Sequence, residues 1–220
     1  ASAKEMAEVP PATLAMFKAA GSKLGPAGTY FADIFAPFDF ENVDERTPTR
    51  TFSGEMSLKV GGKEVRLIEV GPAHTGGDVL VHVPGDRAVY TGDILFIDGT
   101  PLMWAGPVRN WIGACEKIIG MDVDVIVPGH GPITDKAGVQ RVADYLAYVD
   151  REARKRFEAG LSVRDAAHDI ALGDFSIWGD AERIAVNVDS LYREYRGDGK
   201  VTPVIELFAL MAEVRDARRG

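Results

Sequence analysis

The sequence predicts an α/β fold in which helices cover a β-sheet, followed by a region that contains helices only. Three observations support this class. Residues 49–71 and 78–95 alternate polar and apolar side chains around turns, as β-hairpins do. A short amphipathic stretch, 110–121, then precedes a short apolar strand, 122–131. After Pro132, apolar residues recur at three- and four-residue steps, which is the spacing of amphipathic helices.

The residues before the first hairpin have weaker patterns. Residues 6–20 are mildly helical, and Pro10-Pro11 suits a helix start within them. Residues 21–40 are rich in glycine, proline and aromatic side chains and lack a clear period. We therefore expect a long packed loop over 21–40. A position near a functional site is one interpretation of it, since long irregular segments in compact domains are often functional.

Turn and cap residues bound the later elements. Gly61 and Gly62 supply the positive φ angles of a hairpin turn, and a Pro-Gly-Asp turn at 84–86 joins the next two strands. Gly160 and Gly197 are predicted to end two of the later helices, because glycine readily adopts the left-handed conformation that follows a helix.

The composition excludes several classes of protein. The net charge of −8 and the pI of about 5.1 disfavour a nucleic-acid partner, because such a surface repels polyanions. No apolar run approaches the ~20 residues that span a bilayer, so we expect no membrane partner. The single cysteine, Cys115, is predicted to be a buried and unreactive thiol. The compartment stays open, with the cytoplasm favoured.

Three short segments share one arrangement: a strand, then a glycine-bearing turn, then a side chain that can bind a metal ion. They are "AHTGGD" with His74, "YTGDILF" with Asp93 and "VPGHGPI" with His130. Glycines let the backbone approach a shared point closely, and strand ends give the ligands a rigid base. Each segment alone is also typical of an ordinary turn. Their order and their spacing, 19 and then 37 residues, favour one shared site.

In these motifs the chain resembles the metallo-β-lactamase superfamily over residues 1–134. "HTGGD", "TGD" and "PGHG" match the superfamily's third, fourth and fifth motifs. The resemblance implies an αββα sandwich, two mixed sheets between helices, with residues 135–220 as a helical extension packed on the same domain. It also implies that His74 binds a first metal ion, that His130 binds a second, and that Asp93 bridges the two. Two zinc ions are expected in a complete site, with iron or manganese as alternatives.

The superfamily's main ligand signature, H-x-H-x-D-H, is absent from this sequence. The chain has four histidines, and none precedes His74. We therefore expect a domain that is incomplete at its N-terminus, and no catalytic residue is assigned. Catalytic zinc generally takes three protein ligands and a water molecule, so we expect little activity from this chain alone. We also expect it to pair with the missing segment or to form a homodimer.

Other residues are candidates around these ligands. Asp78, which closes "HTGGD", is expected either to brace its turn or to orient an imidazole ring from the second layer of the site. Phe96, Met103, Trp104 and Trp111 are candidates for the apolar wall of a substrate pocket. Packing of these four side chains against the helical extension is the alternative.

The resemblance implies a metal-dependent hydrolase of small molecules, in which a metal-bound hydroxide attacks an ester, thioester, lactone or lactam. Two alternatives stay open at this point: a non-catalytic binding or assembly module that retains the fold, and a redox relative that uses a di-iron site. An upstream H-x-H-x-D-H segment favours the enzyme, and metal analysis separates zinc from iron.

Overall fold

The structure is a computed structural model that describes residues 11–40, 43 and 48–219. Its α-helices in chain order are α1 (Pro11–Ala20), α2 (Gly25–Ile34), α3 (Val108–Gly120), α4 (Lys136–Glu158), α5 (Val163–Asp169), α6 (Ile184–Arg196) and α7 (Val204–Arg219). Its strands are β1 (Glu55–Val60), β2 (Lys63–Glu69), β3 (Val79–Val83), β4 (Ala88–Tyr90) and β5 (Val125–Val127). The predicted α/β class, with helices after the last strand, is confirmed.

The strands form one mixed sheet in the order β1-β2-β3-β4-β5. Neighbouring strands are antiparallel except for β4 and β5, which are parallel and are connected through α3. The predicted hairpin turn is confirmed, with φ angles of 56° at Gly61 and 85° at Gly62. The described residues form this one sheet, whereas the resemblance implies two.

This strand order brings several chain connections to one edge of the sheet. Because β2, β3 and β4 alternate in direction, the end of β2, the start of β3 and the end of β4 lie at the same edge. The end of β5 joins them, since β5 runs parallel to β4. His74 lies between β2 and β3, Asp93 follows β4, and His130 follows β5. The topology therefore gathers all three predicted ligands at one place.

Contacts divide the chain into two compact units. One unit, Phe52–Gly199, contains the sheet and α3 to α6, with α4 packed against both α3 and α6. The other contains the described residues up to Thr51 together with those from Lys200 onward. The predicted domain boundary at residue 134 stays a prediction.

Capping residues bound the later helices as expected. The Asp135 carboxylate accepts a hydrogen bond from the Gly138 N–H at 3.0 Å and caps α4. Gly160 and Gly197 follow α4 and α6 with φ angles of 77° and 62°, so both predicted helix ends are confirmed. These are the left-handed conformations that glycine adopts without steric cost.

The prediction of a loop over residues 21–40 is wrong for its central part, because α2 spans Gly25–Ile34. Gly28 lies inside α2, where a Cβ atom would be 2.1 Å from the Gly21 carbonyl oxygen. This glycine therefore serves a close backbone contact rather than a turn. Three aromatic side chains of this stretch form a cluster with two others of the same unit, with neighbouring ring centres 4.4–5.9 Å apart: Tyr30, Phe31 and Phe35, with Phe17 and Phe208. The helix start at Pro11 agrees with the prediction, whereas residues 6–10 lie outside the described residues.

Candidate metal centre

The Asp93 carboxylate lies between the two predicted histidine ligands. Its Oδ2 atom is 3.3 Å from His74 Nε2, and its Oδ1 atom is 3.4 Å from His130 Nε2. The His74 side chain is only 10% exposed, whereas Asp93 is 39% and His130 is 53% exposed. One carboxylate therefore faces two imidazoles, one oxygen to each, and the His130 side is open to solvent.

Glycines next to the ligands allow this close approach. A Cβ atom at Gly129 would lie 2.4 Å from Asp93 Oδ1 and 2.7 Å from the Gly92 carbonyl oxygen. The Gly129 N–H donates to that carbonyl at 2.9 Å. A Cβ atom at Gly131 would lie 2.1 Å from the Ile97 carbonyl oxygen. Any larger residue at either position would separate the His130 loop from the Asp93 loop.

A backbone carbonyl fixes the ring of His74. Nδ1 of His74 lies 2.6 Å from the Leu102 carbonyl oxygen, which can only accept, so Nδ1 carries the proton. Burial lowers the pKa of His74, and the nearby Asp93 carboxylate opposes this shift. The neutral ring therefore directs the lone pair of Nε2 at Asp93 Oδ2, itself an acceptor.

Two acceptors that face each other across 3.3 Å repel unless a cation lies between them. Two ligands held ~2.0–2.1 Å from a tetrahedral zinc ion are ~3.3–3.4 Å apart, because a tetrahedron's edge is ~1.63 times its centre-to-corner distance. Both nitrogen-oxygen distances at Asp93, 3.3 and 3.4 Å, match this edge. The donor types and separations are therefore compatible with a transition-metal ion such as zinc.

The number of donors falls short of a complete site. In the described residues each possible ion position has two donors, one histidine nitrogen and one Asp93 oxygen, whereas catalytic zinc generally takes three protein ligands. Over residues 11–40, 43 and 48–219, no group of three or more histidine, cysteine or acidic side chains is arranged to hold one ion.

Asp78 braces the turn that carries His74. Its Oδ2 atom accepts hydrogen bonds from the Ala73 and Thr75 N–H groups, both at 3.0 Å, and Oδ1 accepts from the Thr75 hydroxyl at 2.8 Å. The imidazole of His74 is held by the Leu102 carbonyl instead. These contacts brace the turn, and the role of Asp78 in orienting an imidazole ring stays a prediction.

A family model described as the metallo-beta-lactamase superfamily matches residues 2–130 of this sequence. The chain belongs to the metallo-beta-lactamase superfamily. The resemblance seen in the three motifs is therefore confirmed, and so is the class of fold that it implied.

Individual relatives match parts of this superfamily member. The alpha subunit of 2,4-dinitroanisole O-demethylase from Nocardioides sp. (strain JS1661) is 30% identical over 148 residues, covering 64% of this chain and 36% of that protein. A beta-lactamase-like protein 2 homolog from Caenorhabditis elegans is 28% identical over 100 residues, covering 46% of this chain and 32% of that protein. The chain thus spans about a third of the length of both relatives.

A solved structure supports the fold. The stereoselective inverting sec-alkylsulfatase Pisa1 from Pseudomonas sp. superposes with a TM-score of 0.50 at 16% identity, covering 71% of this chain and 29% of that one. At this identity the likeness shows the fold alone. None of the helices in the described residues has the length and apolar character needed to cross a bilayer.

The four residues of this chain that were predicted to form the wall of a substrate pocket differ in exposure. Phe96, Met103 and Trp111 are 3%, 1% and 0% exposed, whereas Trp104 is half-buried. Phe96 stacks on the His130 ring with centres 4.4 Å apart, and Trp111 meets the His74 ring edge-on at 5.8 Å. Phe96 and Trp111 therefore pack against the rings of His130 and His74 from the buried side. Trp104 is the member of the group that is partly exposed to solvent.

Sequence reasoning missed the Leu102 carbonyl and the residues that hold it. A backbone oxygen has no signature in the residue types of the sequence. The signal available in the sequence was Asn187, an amide in the middle of an amphipathic helical pattern. In the structure this residue is 0% exposed, and a buried amide requires several hydrogen-bond partners.

Proposed function

We propose that this chain carries part of the metal site of a metal-dependent hydrolase that acts on an ester, thioester, lactone or lactam. The observation that carries the proposal is the Asp93 carboxylate, whose two oxygens face His74 Nε2 and His130 Nε2 at 3.3 and 3.4 Å. In this proposal His74 and His130 each hold one zinc ion, and Asp93 is shared between the two ions.

Each ligand contributes something different to this site. Bound zinc would polarise the carbonyl of the substrate and lower the pKa of a water molecule to about 7, which makes that water a nucleophile at neutral pH. His74 is buried, with its ring fixed by the Leu102 carbonyl, so it keeps a constant direction. Asp93 supplies a negative charge to both positions, and the exposure of His130 leaves its side open to a small-molecule substrate.

We propose that the remaining donors belong to an H-x-H-x-D-H segment outside this sequence. Two donors for each ion, one histidine nitrogen and one Asp93 oxygen, are too few for a preorganised zinc site, so this chain alone has little activity. In this proposal the segment lies upstream in the same protein or on a different chain, because a second copy of this sequence also lacks the motif. The O-demethylase relative is named as a subunit, which supports assembly with another chain.

The substrate reaches the site from the exposed side. The half-buried Trp104 is proposed as an apolar contact for the substrate, because it lies in the segment that also presents the Leu102 carbonyl to His74. The name of the 30% identical relative adds removal of an O-methyl group to the reactions worth testing.

The experiment compares the chain with and without an H-x-H-x-D-H segment. Metal content by mass spectrometry distinguishes zinc from iron, and activity is assayed with a chromogenic lactam, a thioester and 2,4-dinitroanisole. We expect two zinc ions and activity only when the segment is present. His130→Ala abolishes activity, whereas His168→Ala, which removes an exposed histidine of α5, does not. Equal activity with and without the segment would contradict the claim that the site needs the segment's donors. A complete protein that is metal-free and inactive would contradict the proposal that it is a metal-dependent hydrolase.

A further inference from the structure

One helix and the turn before it hold the segment 100–108 by a row of hydrogen bonds. The side chains come from Arg183, which precedes α6, and from Asn187, Arg193 and Glu194 within α6. Their backbone partners are the Thr100 carbonyl at 3.0 Å, the Pro101 carbonyl at 3.0 Å, the Met103 N–H at 2.9 Å, the Trp104 carbonyl at 2.9 Å and the Val108 N–H at 3.1 Å. The path of this segment is therefore set by α6.

The same segment is bonded to the loop that carries His74. The Leu102 carbonyl lies 2.6 Å from His74 Nδ1, and the Ala105 N–H donates to the His74 carbonyl at 3.2 Å. The Gly106 N–H donates to the Ala73 carbonyl at 2.9 Å. Both the ring and the backbone of His74 thus depend on where the segment lies.

Asn187 is the member of the row closest to this contact. Its Nδ2 atom donates to the Pro101 carbonyl and its Oδ1 atom accepts from the Met103 N–H, so the one amide grips the residues on both sides of Leu102. Nδ2 also donates a hydrogen bond to the Tyr145 hydroxyl of α4 at 2.9 Å, which fixes the orientation of the amide. The side chain is 0% exposed, and a buried amide is retained only where its polar atoms are paired.

We propose that Asn187 is a positioning residue for His74. By holding Pro101 and Met103 it aims the Leu102 carbonyl at Nδ1, which keeps the proton on Nδ1 and leaves Nε2 open toward Asp93. The role in metal binding rests on the proposed function, whereas the effect on the ring of His74 does not. The helical part of the chain thereby controls a ligand in the sheet part, at a residue that touches neither metal position.

Nitrogen NMR of the histidine rings tests this proposal in the metal-free chain at mildly alkaline pH, because the protonated and unprotonated ring nitrogens resonate at well-separated shifts. In the unsubstituted chain we expect the His74 ring to carry its proton on Nδ1. In Asn187→Ala we expect a second signal from the form protonated on Nε2. Asn187→Asp, which still accepts from Met103 but cannot donate to Pro101, should show the same second signal and serves if Asn187→Ala does not fold.

Val188→Ala is the matched control, since it removes buried apolar volume from the same helix without touching the row of hydrogen bonds. Its His74 signals should equal those of the unsubstituted chain. Cobalt affinity, followed by absorption spectroscopy in the protein with its H-x-H-x-D-H segment, should fall about tenfold to a hundredfold in Asn187→Asp and remain unchanged in Val188→Ala.

The outcomes separate the two proposals. A proton on Nε2 in the unsubstituted chain, unchanged His74 signals in a folded Asn187 variant, or an equal change in Val188→Ala would overturn the positioning role. Absence of cobalt binding in every form, together with the predicted change in the His74 signals, would overturn the proposed function and leave the positioning role supported.

Discussion

Replacement of Gly129 by alanine is the substitution whose effect the structure defines most closely. The added Cβ atom would lie 2.4 Å from Asp93 Oδ1, 2.6 Å from the Gly92 carbonyl carbon and 2.7 Å from its oxygen. Favourable contacts between such atoms are at ~3.5 Å, so the His130 loop must move by about 1 Å. The hydrogen bond from Gly129 to Gly92, now 2.9 Å, would be weakened or lost.

The expected cost has two parts. Overpacking against a backbone that cannot yield costs ~1–3 kcal/mol, and loss of the hydrogen bond adds ~0.5–1.5 kcal/mol. We therefore expect the free energy of unfolding to fall by about 1.5–4.5 kcal/mol. A displacement of about 1 Å also exceeds what a metal site tolerates, so zinc affinity should fall by more than about tenfold.

Urea denaturation and zinc titration measure these effects, and Gly113→Ala is the matched control. Gly113 lies inside α3, where a Cβ atom would have no neighbour within 4 Å. The same chemical change should stabilise the chain there by ~0.5–1 kcal/mol, because alanine is the better helix former. The reasoning is refuted if Gly129→Ala is as stable as the unsubstituted chain, or if the two alanine variants lose stability equally.

Three further predictions use other parts of the sheet unit. Asp78→Ala, which removes the acceptors that brace the turn before it, should lower the free energy of unfolding by ~1–3 kcal/mol in urea titrations, and Asp78→Asn should lower it less. Cys115 is 0% exposed and burial raises its pKa to about 12, so a thiol reagent should label it only after denaturation. Hydrogen bonds from Lys155 and Arg156 lower the pKa of Glu152 to about 2, so its stabilising contribution should be complete above pH ~4.5 and disappear as the pH falls toward 2, seen as a shrinking stability difference from Glu152→Gln.

Each of these has a clear contrary outcome. Equal stability of the two Asp78 variants would mean that the carboxylate does not brace the turn. Rapid labelling of the native thiol would contradict the burial of Cys115. A stability difference between the unsubstituted chain and Glu152→Gln that grows as the pH falls would reverse the sign that the lowered pKa requires.

Much of the sheet could be predicted because its signals are local. The alternation of residues 49–71 and the Gly61-Gly62 turn determine a hairpin without reference to the rest of the chain. The prediction of a loop over residues 21–40 was wrong because its signal was not local. The glycine at position 28 serves a contact with the Gly21 carbonyl, and nothing in the residue type separates that use from a turn.

The sequence predicted which three side chains come together in the candidate site, but not the groups that support them. His74, Asp93 and His130 follow strand ends, so their convergence depends on the strand order, which the matching motifs indicated only through a resemblance. The carbonyl of Leu102 and the amide of Asn187 are 85 residues apart in the sequence and act through a backbone atom, so no local pattern connects the two.

The central claim is that the two nitrogen-oxygen pairs around Asp93 hold cations. This is tested most directly by anomalous diffraction at the zinc edge, from crystals of the protein with its H-x-H-x-D-H segment grown or soaked with zinc. We expect one peak between His74 Nε2 and Asp93 Oδ2 and a second between His130 Nε2 and Asp93 Oδ1, both absent in Asp93→Ala. Peaks elsewhere on the chain, or none at Asp93 in zinc-saturated crystals, would contradict it.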